Sequence, residues 1–103
     1  MQLQIHYGTL GRTDALESEV RQAFEHSLRH VEGELTRVDV FLHDDNADKG
    51  GSDDKRVVAE AHPRGSGPIS VEDTGNDMYQ LVRATAKKLE RSCRQFVEKR
   101  RGR

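Results

Sequence analysis

Leu3, Ile5 and Tyr7 stand two residues apart, and the same spacing returns in Val38, Val40 and Leu42, in Val57, Ala59 and Ala61, and in Ile69 and Val71. Alternate residues of an extended chain point to opposite sides, so each run is a strand with one apolar and one polar face. One-sided strands must share a sheet, and the apolar side of that sheet must be covered. The alternation predicts strands at 2–7, 37–43, 56–62 and 68–73. Gly8-Thr9-Leu10-Gly11 breaks the first, and Pro63-Arg64-Gly65-Ser66-Gly67 is a turn between the third and fourth. The polar stretch 44–55 between the second and third is long for a hairpin.

The cover comes from two longer periodic segments. Leu16, Val20, Ala23, Phe24, Leu28 and Val31 recur at helical spacing. Thr13 or Asp14 can cap that helix, Glu17 and Glu19 suit its dipole, and Gly33 ends it after about residue 31. Met78, Val82, Thr85, Ala86, Leu89, Cys93 and Phe96 form a second stripe behind a cap in Gly75-Asn76-Asp77. Arg100 would rotate back onto that buried stripe. Regular packing is therefore expected to stop near Val97, leaving 99–103 as a frayed basic tail on a single domain of residues 1–98. The order is β-α-β-β-β-α, an α+β fold with a four-stranded sheet and two helices on one face. Its first crossover is parallel and the remainder a meander. The polar face of the sheet then carries Gln4, His6, Arg37, Asp39, Phe41, Arg56, Val58 and Glu60. Phe41 and Val58 are its apolar exceptions, and either edge strand could pair with a second copy.

Charge is distributed unevenly along this fold. The net charge is −1, yet residues 83–103 sum to +7 and residues 1–82 to −8. At 100° per residue, Arg83, Lys87, Arg91 and Arg94 fall within about 80° of one another, opposite the apolar stripe. Lys88, Lys99, Arg100 and Arg101 extend the basic set. A concentrated positive stripe calls for a polyanion, and each cation that meets a phosphate releases counterions. Aromatics are few (Tyr7, Phe24, Phe41, Tyr79 and Phe96), which does not fit a base-stacking platform. Backbone contact is the expected mode.

Other chemistries find little support. The single Cys93 excludes an internal disulfide framework, fits a reducing compartment and lies on a buried stripe. No apolar run approaches a membrane span, and Met1–Ile5 lacks a signal-peptide pattern, so a soluble cytoplasmic protein is expected. Asp44, Asn46 and Asp48 match the first ligands of a calcium loop, but Lys49 and Lys55 occupy the positions that need Gly and Glu. His26 and His30 have zinc-compatible spacing but lie off the apolar stripe without a third ligand nearby, so they read as surface histidines. Thr36, Ser70 and Ser92 have no catalytic partnership in sequence, and Gly50-Gly51 lacks the surrounding phosphate-loop pattern. An enzyme, a cofactor and a small-molecule substrate are not expected.

The opening Met1-Gln2-Leu3-Gln4-Ile5, Thr13-Asp14-Ala15-Leu16 at the first helix, and Val38-Asp39-Val40 resemble the ribosome hibernation-promoting factor and ribosome-associated inhibitor family, the sigma-54 modulation proteins. So do Asp77-Met78-Tyr79 and Lys87-Lys88-Leu89-Glu90-Arg91. The similarity runs along nearly the whole chain and is to the short form, which lacks the further domain that pairs ribosomes. It implies a fold shaped like a double-stranded-RNA-binding domain, and a bacterial stress-response protein that occupies the small ribosomal subunit where mRNA and tRNA would lie. It also implies rRNA contact through Lys87, Lys88, Arg91 and Arg94. Glu17, Glu19, Glu25 and Glu32 stand on a first helix that is often Lys-rich in the family, which marks a divergent subgroup. Two other readings remain open: a stand-alone structured-RNA-binding module, and a protein-interaction domain using the acidic half. The oligomeric state is not legible.

Overall fold

The structure is a computed structural model that describes residues 1–8, 10–44 and 54–102. Its elements are β1 (Gln2–His6), α1 (Asp14–Ser27), a short 3-10 turn (Glu32–Glu34), β2 (Leu35–Asp44), β3 (Lys55–Pro63), β4 (Ile69–Gly75) and α2 (Met78–Arg100). The sheet order is β1-β2-β3-β4. β1 runs parallel to β2, with Ile5 opposite Val40, and the other neighbours are antiparallel. This is the α+β order that the alternation implies, with the helices on one face. The calcium-like positions 46, 48 and 49, the acidic residues 45 and 53, Gly50-Gly51 and the terminal Arg103 lie outside the described residues.

Every apolar residue assigned to the inner face of β2 and β3 is buried: Val38, Val40, Leu42, Val57, Ala59 and Ala61. Against them pack Leu16, Val20 and Phe24 of α1 and Leu81, Val82, Ala86, Leu89, Cys93 and Val97 of α2. The edge residues Leu3, Ile5, Ile69 and Val71 are only partly covered, as the end of a two-helix layer requires. Gly8 closes β1 with φ +63°, a left-handed conformation, and a Cβ there would meet Leu42 O at 3.3 Å. No helix of the described residues is long and apolar enough to cross a membrane.

The strand bounds shift by one or two residues, and both helix ends and the membership of the α2 stripe also differ from the sequence expectation. α1 ends at Ser27 rather than near Val31, although Leu28 and Val31 are both buried. The chain tightens there, with Val31 N–H bonding Leu28 O at 2.9 Å, so three-residue spacing of apolar side chains persists without an α-helix. In α2 the buried stripe includes Leu81 and Val97, while Phe96 is only partly covered. Finally, α2 continues to Arg100 rather than stopping near Val97. The guanidinium of Arg100 lies 4.6 Å over the Phe96 ring and donates to Arg64 O at 2.7 Å. Its partners keep the side chain out of the core, so the helix need not end where the arginine rotates inward.

Candidate nucleic-acid interface

Asp77 starts α2 by accepting hydrogen bonds from the Tyr79 and Gln80 N–H groups at 3.0 and 3.3 Å. That cap satisfies two otherwise orphan donors, and the buried stripe then fixes the helix's rotation on the sheet. With rotation fixed, the basic positions have determined directions. Arg83, Lys87, Arg91 and Arg94 are all exposed and share the outward ridge. Lys88 turns to the β4 side, where its Nζ donates to Glu72 O at 3.2 Å and lies 3.4 Å from Asp73 Oδ1. Arg100 and Arg101 turn towards Glu34, at 3.9 and 3.3 Å. Lys99 is exposed near the end of the helix. The eight basic positions therefore make one ridge of four, two flanking lysines and a tethered terminal pair.

Several of these charges already have acidic neighbours. Arg83 Nε lies 3.2 Å from Glu19 Oε2 on α1, and Arg94 Nε lies 3.0 Å from Glu90 Oε2 one turn back. Such exposed pairs contribute about 0.2–1 kcal/mol each, little enough for a phosphate to displace or share the cation. Lys87, Arg91 and Lys99 form no ion pair among the described residues.

An open groove of about 520 Å³ runs beside the ridge between the helices, lined by Gln22, Ala23 and His26 of α1, by Arg29 in the turn after it, and by Arg83 and Lys87 of α2. Arg29 is a cation that single-helix reasoning missed. It lies in the turn beyond α1, and its place on the same groove as Lys87 depends on how the two helices pack. Glu19 and Glu25 line the same groove, so its α1 wall is mixed in sign.

The remaining reactive candidates are accounted for by the fold. Cys93 is fully buried, and burial followed by the nearby Glu90 charge pushes its thiol up to about 11. The reactive thiolate is then about a hundredfold scarcer than for an ordinary thiol near 9. Alkylation at pH 8 is accordingly expected to be at least about a hundredfold slower in the folded protein than in urea, because burial both suppresses the thiolate and shuts out the reagent, as measured by mass spectrometry. Equal rates would show that Cys93 is accessible. The sign for stability follows from the same shift. Below pH 9 the thiol is neutral in both states; as pH rises from 9 towards 11, the unfolded chain ionises first and folding loses stability. His26 and His30 are both exposed, as a surface reading requires.

The outer face of the sheet departs from a plain solvated surface. Asp39 is only 4% exposed although its strand position faces outward. His6 Nε2 lies 3.1 Å from its Oδ1, while Arg37 Nε and His62 Nε2 lie 2.8 and 3.2 Å from Oδ2. Burial pushes the Asp39 carboxyl up, but the hydrogen bonds from His6 and Arg37 and the Arg37 charge prevail and leave it below its ordinary value. Phe41 is covered by His6, with the rings stacked at 4.4 Å. His62 was the outward residue missing from the sequence-derived face. Its position two residues beyond Glu60 could have supplied it, but its meeting with Asp39 needed the strand register.

The arrangement as a whole defines a small α+β module: a mixed sheet, two helices on one side, and a cationic ridge along the second helix. Residues 3–101 match the family described as Sigma 54 modulation protein / S30EA ribosomal protein, and the chain belongs to that family. It is a family of ribosome-associated modulation proteins, not of enzymes. Among solved structures, the chain is similar to a ribosomal subunit interface protein from Coxiella burnetii, at 20% identity and a TM-score of 0.78, covering 95% of this chain and 99% of that one. It is also similar to the N-terminal domain of Protein Y from Thermus thermophilus, at 24% identity and a TM-score of 0.72, with 93% and 99% coverage. At these identities the likeness concerns the fold. No curated protein matches the sequence significantly.

Proposed function

We propose that this protein is a ribosome-associated inhibitor of translation that binds small-subunit rRNA and occludes the paths of mRNA and tRNA. The carrying observation is the outward ridge of Arg83, Lys87, Arg91 and Arg94, set opposite a buried stripe in a chain of this family. A rigid α-helix presents such cations at steps of about 5–6 Å, close enough to follow a phosphate backbone. Lys88 and Lys99 flank the ridge, and Arg29 adds a charge across the groove. Arg100 and Arg101 contribute less, because they lie beyond the ridge at the end of α2 and turn towards Glu34. The mechanism needs no reacting group. A folded domain seated in the decoding channel excludes mRNA and tRNA by volume, and its own fold keeps the ridge in register. The family description and the printed name of the Coxiella protein both refer to the ribosome, which supports that partner over free RNA.

The acidic half also has a role compatible with this reading. Glu19 and Glu34 pair with α2 arginines, and Glu17 pairs with Arg12 and Arg21. Much of that negative charge is internal counter-charge, which weakens the case for an acidic docking surface. Sedimentation of the purified chain with isolated ribosomal subunits tests the proposal. Co-migration with the small subunit at low salt is expected, with release as salt rises. Failure to co-migrate at low salt, or equal affinity for free duplex RNA, would overturn it.

A further inference from the structure

We propose that the outer face of the sheet binds one divalent transition-metal cation through Asp39 Oδ2, Glu60 Oε1 and His62 Nε2. Ligand atoms of these three residues all lie within 4.8 Å of one another. Two edges of the triangle measure 3.2 Å (Asp39 to His62) and 3.4 Å (His62 to Glu60). A tetrahedral ion with bonds of about 2.0–2.1 Å needs ligand separations of roughly 3.3 Å. One imidazole with two carboxylates suits zinc and its neighbours, and solvent on the open side can supply the fourth position.

The backbone holds these groups in place. Asp39 and Glu60 are direct partners in the antiparallel β2–β3 register, and His62 follows Glu60 on the same face. Both strands are interior to the sheet, so the ligands stand on rigid elements. His6 braces the other oxygen of Asp39 from β1 and is itself stacked on Phe41. Support of that kind orients a metal-binding carboxylate.

Charge also favours a cation. Among the described residues, the Asp39 and Glu60 carboxylates meet one permanent positive charge, Arg37, whose Nη2 also lies 3.4 Å from His62 Nε2. A divalent ion bound by the imidazole nitrogen and both carboxylate oxygens supplies further positive charge at that point. Arg37 is the resident competitor for Asp39, and its side chain is 45% exposed, so it has solvent to swing into. The bound ion would clamp β2 to β3 on the face opposite the helices, without touching the α2 ridge.

Zinc chloride titrated into the chelator-stripped full chain tests this, by calorimetry and thermal melting. One equivalent should bind and raise the melting temperature. His62→Ala and, as the gentler variant, Glu60→Gln should each weaken binding by at least about tenfold. Arg37→Gln should tighten it by at least about tenfold, because a competing positive charge is removed. His26→Ala/His30→Ala should leave it unchanged. Absence of saturable uptake at millimolar zinc would overturn the proposal. So would binding that survives both ligand variants or is lost with the α1 histidines.

Discussion

Replacing Lys87, Arg91 and Arg94 together by alanine is expected to weaken binding to isolated small ribosomal subunits by about a hundredfold at low salt. Each charge-assisted phosphate contact contributes on the order of 1 kcal/mol net, and three such losses give about that factor. The salt dependence is the more telling readout. Four ridge contacts would make affinity fall by about a hundredfold between 50 and 200 mM salt, and removing three should lower the logarithmic slope by roughly 3. The fold should be untouched: all three side chains are exposed, alanine favours helix, and only the surface pair from Arg94 to Glu90 is lost. Arg100→Ala/Arg101→Ala is the matched control, with a smaller expected effect because both arginines lie beyond the ridge and turn towards Glu34. Filter binding across a potassium chloride series measures both quantities. An unchanged slope in the triple variant would remove the ridge from the interface.

The contrast between ridge and tail was not visible in the charge pattern alone. Spacing at 100° per residue placed Arg83, Lys87, Arg91 and Arg94 together because a helix's rotation follows from its own buried stripe. It could not show that Glu34, far away in sequence, would meet Arg100 and Arg101. Strand faces were equally legible, since period-two alternation is a local property: Val38, Val40, Leu42, Val57, Ala59 and Ala61 are buried as the pattern requires. Register is not local. Asp39 and Glu60 face each other across strands, and His6 comes from yet another strand, so the polar cluster they form with His62 emerges only once the strands are aligned. The end of α1 shows a different limit. Leu28 and Val31 keep helical spacing through a tightened turn, so hydrophobic periodicity outlasts the helix that produced it.

The same periodicity identifies the residue on which the fold depends most heavily. Phe24 is fully buried and lies in the middle of the α1 stripe, with Val20 and Leu28 one turn away on either side. Phe24→Ala removes a large ring from a site enclosed by helix and sheet, and the loss combines transfer free energy with the cavity left behind. The expected cost is about 3–5 kcal/mol. A domain of this size has only about 5–15 kcal/mol in total, so the variant sits near its unfolding threshold, with a melting temperature lower by roughly 15–30 °C. Glu25→Ala, the next residue but exposed, should change stability by no more than about 0.5 kcal/mol. Urea titrations of the two variants with a common slope measure the difference. The functional consequence is indirect, since α1 supplies Glu19 against Arg83, and the turn after it places Arg29 on the groove that Lys87 also lines. Ribosome binding by Phe24→Ala should therefore fail in step with unfolding as temperature rises, while its salt slope below the transition stays that of the parent chain. A cost under about 1 kcal/mol would mean that α1 is not packed as a covering layer, and the groove beside the ridge would lose its second wall.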